Sequence, residues 1–204
     1  MPINFTLNYF GITNTRAVHE DTDYVIVGMS VNGKIIPPVA KRIGNVNNGQ
    51  HQVNLTLSGP STFTDADTFV FSYLIVNHGG GATADVLSHC QNAMIQTPLL
   101  QFSAADAQVV QVPGRSIPKC FDTTLRAADD MNILWNQIKA QFTHLSTDRC
   151  DGPVAIDRFS WLGSSMSSVQ LLLDVNSWIY EGIDSAVGCG SNSSYGVNWT
   201  SKVV

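Results

Sequence analysis

The chain predicts a mainly β fold: an antiparallel β-sandwich, C2-like or jelly-roll-like, forming one domain over residues 1–204. A helical insertion of two helices is expected between about residues 82 and 146. Three observations predict this. Several segments alternate apolar and polar residues with the period of a half-buried strand. The run Asp67-Thr-Phe-Val-Phe-Ser-Tyr-Leu-Ile-Val76 is apolar or β-branched on both phases and carries no charge after Asp67, so it belongs mid-sheet, covered above and below. Finally, Leu125, Ala128, Met131, Trp135, Ile138, Phe142 and Leu145 recur every three or four residues, which is one apolar stripe on a helix.

In chain order, Ile3, Phe5, Leu7 and Tyr9 alternate with Asn4, Thr6 and Asn8, giving a first strand. After a polar loop, Val25, Val27, Met29 and Val31 resume the alternation up to Asn32-Gly33, a strong two-residue hairpin signal. The return segment contains Pro37-Pro38, which cannot donate to a ladder, so it is an edge strand or carries a bulge. Val53, Leu55 and Leu57 form the next strand, and Ser58-Gly-Pro-Ser turns the chain into the 67–76 strand. Hairpin-length connections throughout this half favour an antiparallel sandwich over βαβ units.

His78-Gly-Gly-Gly81 ends that half. A short helix is expected from Thr83 or Ala84 to about Met94, ending before Pro98, with Cys90 a buried thiol beside Val86, Leu87 and Met94. Residues 98–121 contain three prolines and read as connection, with one short strand near Val109-Val110. The striped helix follows, capped by Asp122 or Thr123. Strands return at 153–161, at Val169 to Val175 and at Tyr195 to Trp199, with Trp161 and Trp199 on inward phases.

Composition excludes several classes. A net charge of −5 with eleven scattered Lys and Arg gives no basic patch for nucleic acid. No apolar window approaches the ~20 residues a transmembrane helix requires. The start, Met1-Pro-Ile-Asn-Phe-Thr, shows no signal peptide, which leaves secreted and cytoplasmic locations both open. Of Cys90, Cys120, Cys150 and Cys189, the pair Cys150–Cys189 is the preferred disulfide, each lying in a Gly-containing turn.

Two candidate sites emerge. Asp21 and Asp23, with Asp65 and Asp67 before the central strand, would offer calcium its oxygen ligands if both loops lie at one end of the sandwich. Trp178, Tyr180, Asp184 and Asn192 combine aromatic faces with carboxylate and amide groups, the chemistry of a sugar site. Gly163-Ser-Ser does not match a nucleophile elbow, and a Cys150 pairing with His78 or His144 is no more than chance composition offers. Sequons occur at Asn4, Asn54, Asn192 and Asn198. The reading is therefore a non-catalytic binding protein for a glycan or surface ligand, with loop-bound calcium. A hydrolase with a dispersed site and a toxin-like, self-associating structural protein are the alternatives.

Overall fold

The computed structural model describes residues 2–15, 21–80, 82–102, 104, 109–112, 115–118, 136, 140, 151–164, 175–181 and 193–204. The fold is mainly β. In chain order the strands are β1 (Ile3–Asn14), β2 (Asp21–Val31), β3 (Lys34–Val46), β4 (Gly49–Ser58), β5 (Thr68–Asn77), β6 (Val109–Val112), β7 (Arg115–Pro118), β8 (Gly152–Leu162), β9 (Val175–Glu181) and β10 (Ser194–Val203). One four-stranded sheet has the order β4-β1-β10-β9, a second β3-β2-β5-β8, and β6 pairs with β7. Every pairing among the described residues is antiparallel.

The two larger sheets share one core, so they form a sandwich. The inward phases of β1 (Phe5, Leu7) and β10 (Val197, Trp199) meet those of β2 (Val25, Val27) and β5 (Phe69, Phe71). Phe5 packs its ring 5.2 Å from Phe71, and Trp199 lies 4.2 Å from Phe159, centroid to centroid. Trp161 and Trp199 are buried, as their phases require.

β5 is interior to its sheet, between β2 and β8. Its odd-numbered residues face the sandwich core, while Leu74 and Val76 belong to a second apolar cluster on the opposite face. That face is covered by α1 (Thr83–Gln96) and the 3-10 turn Pro98–Leu100. Val86, Cys90 and Met94, spaced by four, form the buried stripe of α1. Burial pushes the Cys90 thiol up to about 12, so it is an inert packing group. Polar contacts fix the cover: Ser30 Oγ donates to the Leu100 carbonyl (2.6 Å), Gln91 Nε2 to that of Pro38 (2.7 Å) and Arg158 Nη1 to that of Pro98 (3.1 Å).

Local sequence explains the strand ends. Asn32 and Gly33 take positive φ (51° and 74°), the mirror-image turn that matches strand twist, and Val31 pairs with Lys34 across it. β3 is an edge strand, and its register with β2 shifts between Val27↔Val39 and Met29↔Ile36, so Pro37 and Pro38 together stand opposite Gly28. The diproline thus makes both an edge and a bulge.

Other expectations are modified. The short strand near Val109 has a partner, β7. α1 runs two residues past Met94. The striped helix at 123–145 lies outside the described residues except for Asn136 and Ala140, both helical and exposed. Residues 165–174 also lie outside them, as do Cys120, Cys150 and Cys189, and hence the expected disulfide. Trp178 and Tyr180 stand within a strand, β9.

The helix can approach β2 because Gly28 has no side chain there. A Cβ at residue 28 would lie 2.3 Å from Met94 Sδ and 3.0 Å from Leu100 Cδ2. Gly28→Ala should therefore lower stability by about 1–3 kcal/mol, the usual range for overpacking. Urea denaturation checks it, with an unchanged midpoint against the expectation.

Candidate functional site

The inward phase of β2 begins with two acids. Counting back from Val27 and Val25 leads to Asp23 and Asp21, and both are fully buried. The same happens on β5, where Phe71, Tyr73 and Ile75 are followed inward by Asn77. These strands pair Asp23 with Asn77, and β10 contributes Tyr195, also buried, from the opposing sheet. One end of the sandwich interior is thus closed by two carboxylates, an amide and a phenol, while Asp157 and Ser201 are further buried polar groups on its inward phases.

The contacts are short. Tyr195 Oη lies 2.6 Å from Asp21 Oδ2 and 3.0 Å from Asp23 Oδ2. Asn77 Nδ2 donates to Asp21 Oδ1 (3.1 Å), and its Oδ1 accepts from the Thr22 amide (3.0 Å). The phenol has one proton and cannot donate to both acids at once. Asp23 Oδ1 is buried with no hydrogen-bond partner among the described residues.

Burial, and next the charge of Asp21, hold the Asp23 carboxyl well above its ordinary 3.8; the Tyr195 hydrogen bond opposes them. Burial, then the neighbouring carboxylates, also drive the Tyr195 phenol strongly upward, so it serves as a neutral donor. Burial of Asp23 beside a second carboxylate favours its protonated form.

The second metal pair lies elsewhere. From Asp23 to Val31 β2 advances eight residues, roughly 26 Å at about 3.3 Å each. Val31 pairs with Phe69, just beyond Asp67, so Asp65 and Asp67 sit at the far end of the sheet and the four carboxylates form no single set. Asp67 fastens turns there. Its Oδ1 accepts from Asn32 Nδ2 (2.7 Å) and its Oδ2 from the Thr64 amide, and the Asn32 contact is the main influence holding its carboxyl below the usual value. The loop before β5 also packs on Gly163, where a Cβ would lie 1.9 Å from the Thr64 carbonyl oxygen. Gly163-Ser is therefore a close backbone contact between loops.

The sugar-site candidates lie partly beside the acid end. In β9, Tyr180 pairs with Tyr195 and Trp178 with Val197. Glu181 pairs with Ser194, and the segment between them, with Asp184 and Asn192, lies outside the described residues apart from Ser193.

On the helix side of the same sheet end, buried His78 sets Nδ1 2.7 Å from Asp151 Oδ2, while Asp151 Oδ1 accepts from the Gly79 amide (2.9 Å). A histidine beside a carboxylate is also part of a hydrolytic triad, but the Nδ1–Asp151 contact is a close approach without hydrogen-bond geometry. His78 Nε2 meets no hydroxyl or thiol among the described residues, so no nucleophile completes it there.

Sequence reasoning missed Tyr195, Asn77 and the His78–Asp151 contact. The signal was present: Asp21, Asp23 and Asn77 are polar residues continuing the inward phase of apolar strands. No helix among the described residues is long and apolar enough to cross a membrane. The chain matches no protein-family model and no curated protein.

The Asp23 shift fixes a pH dependence. The folded protein holds a proton that the unfolded chain releases above about 3.8, so this group's stabilisation is present at low pH and is lost as pH rises through the folded value. In EDTA, Asp23→Asn should exceed the parent protein in stability at pH 8. The difference should shrink towards pH 4. Urea titrations of both proteins across that range check it, and a constant difference would contradict it.

Proposed function

We propose that this chain is a non-catalytic binding protein whose Asp21–Asp23–Tyr195 end takes a hard divalent cation, Ca²⁺, and recognises a glycan or other surface ligand beside it. The scaffold of this reading is a sandwich of C2-like or jelly-roll-like kind. The observation that carries it is the buried Asp23 Oδ1, which no donor meets among the described residues, beside a second buried acid, Asp21. A buried anion in that condition favours a proton or a cation.

The donor chemistry favours calcium over softer metals. The groups present are carboxylate, amide and phenol oxygens, and calcium takes six to eight oxygens while zinc and copper favour nitrogen and sulfur. Among the described residues no group of three or more His, Cys, Asp or Glu gathers at metal-holding range. Asp21 and Asp23 would thus be two ligands of a set completed by neutral oxygens and water. Asp184 and Asn192, in the segment joining β9 to β10, are close enough in sequence to contribute.

The glycan side rests on convergence. Tyr180 stands opposite the tyrosine that touches both acids, and Trp178 is two residues back along the same strand. Aromatic faces beside carboxylate and amide groups are what sugar rings require.

Calcium at a hundredfold excess over its dissociation constant should stabilise the folded chain by about 2.7 kcal/mol. The double variant Asp21→Asn/Asp23→Asn should lose that gain. Thermal melts with Ca²⁺, Mg²⁺ and EDTA read it, and a melting temperature indifferent to all three removes the cation. A glycan array probed with Ca²⁺ and with EDTA reads the ligand. Binding in Ca²⁺ alone is expected; an empty array removes the glycan.

A further inference from the structure

Three of the four Asn-x-Ser/Thr sequons fall on described residues, and the fold treats them differently. Asn4 is in β1 and Asn198 in β10, the two interior strands of their sheet. Both are half-buried. Asn4 Oδ1 is enclosed with no partner among the described residues, and Asn198 Oδ1 accepts a 2.8 Å hydrogen bond from Asn8 Nδ2. A large substituent on either amide would displace neighbouring strand side chains.

Asn54 is unlike them. It is exposed, and it lies on β4, an edge strand. The β1–β4 register passes from Leu7↔Leu55 to Tyr9↔Gln52, so Val53 and Asn54 together stand opposite Asn8. This is a bulge, and Asn54 adopts φ 50° in it, a conformation asparagine tolerates better than most residues. Val53 turns into the core while Asn54 stays in solvent. Thr56, the third residue of the sequon, is exposed on the same strand.

We propose that Asn54 is an N-glycan acceptor. The donor class is an oligosaccharide carried on a polyprenyl diphosphate. The Asn54 amide nitrogen forms a bond to C1 of the first sugar, the C1–O bond to phosphate breaks, the diphosphate leaves with the electron pair, and the amide gives up one proton. Thr56 supplies the hydroxyl that this transfer reads two residues on.

The position gives the modification a structural use. An unpaired strand edge is a template for pairing with another chain, and a bulky hydrophilic group on it blocks that. Asn54 also lies five residues along β4 from Gly49, which pairs with Ile12, itself opposite Tyr195. At about 3.3 Å per residue the glycan is rooted roughly 16 Å from the acid end and leaves it open. The proposal stands independently of the calcium and glycan-recognition reading.

The test routes the full chain through the secretory pathway of cultured eukaryotic cells and measures intact mass before and after amidase release of N-glycans. Asn54→Gln should lose the glycan mass, whereas Asn4→Gln and Asn198→Gln should keep it. Thr56→Ala should also lose it, and Thr56→Ser should retain it, which separates loss of the acceptor from misfolding. An unmodified parent chain, or an Asn54→Gln chain that keeps the full glycan mass, would overturn the assignment.

Discussion

A strand with no polar face imposes the architecture. β5 presents Phe69, Phe71, Tyr73 and Ile75 to one side and Leu74 and Val76 to the other, so it requires two separate apolar covers. At about 25 cal/mol per Å² of apolar surface, leaving either side wet forfeits the burial that stabilises the strand. The facing sheet supplies one cover. α1 with the turn at Pro98–Leu100 supplies the other, which is why a helix follows β5 directly and why Gly28 lies beneath Met94. The diproline bulge belongs to the same arrangement, since the Pro38 carbonyl it presents is held by Gln91 of that helix.

Against this mostly apolar interior, the acid end gathers two carboxylates at one place. Asp21 and Asp23 occupy positions that the alternation of β2 assigns to the core, and Asn77 does the same on β5. Such violations of a strand's own pattern are most often kept where a site needs them. Asp67 shows the contrast: similar chemistry, placed in a turn with Asn32 and Thr64 as partners, simply holds two loops together.

Much of the fold was legible because its determinants are local. Alternation located β1, β2, β4 and β10, the two-phase apolar run located β5, Asn32-Gly33 set the hairpin, and Pro37-Pro38 marked the edge and bulge of β3. The spacing of Val86, Cys90 and Met94 gave the buried stripe of α1. The site was less legible because it is built by pairing between distant segments. Tyr195 reaches Asp21 across a separation of 174 residues, and nothing near either residue encodes that meeting. Whether Asp65 and Asp67 would join Asp21 and Asp23 turned on one fact, the antiparallel run of β5 against β2, which sends the two pairs to opposite ends.

The central pair of the first sheet, β1 with β10, joins the two extremes of the described chain: Ile3 pairs with Val203, and the Val204 amide donates to the Pro2 carbonyl at 2.8 Å. Because the strands are antiparallel and meet at their outer ends, force applied to residues 2 and 204 would load the ladder one rung at a time, like a zipper, not all rungs together in shear. Tension is therefore borne at each moment by a hydrogen bond or two, each worth only about 0.5–1.5 kcal/mol net. Mechanically the sandwich is weak along this axis, however firmly its interior is packed.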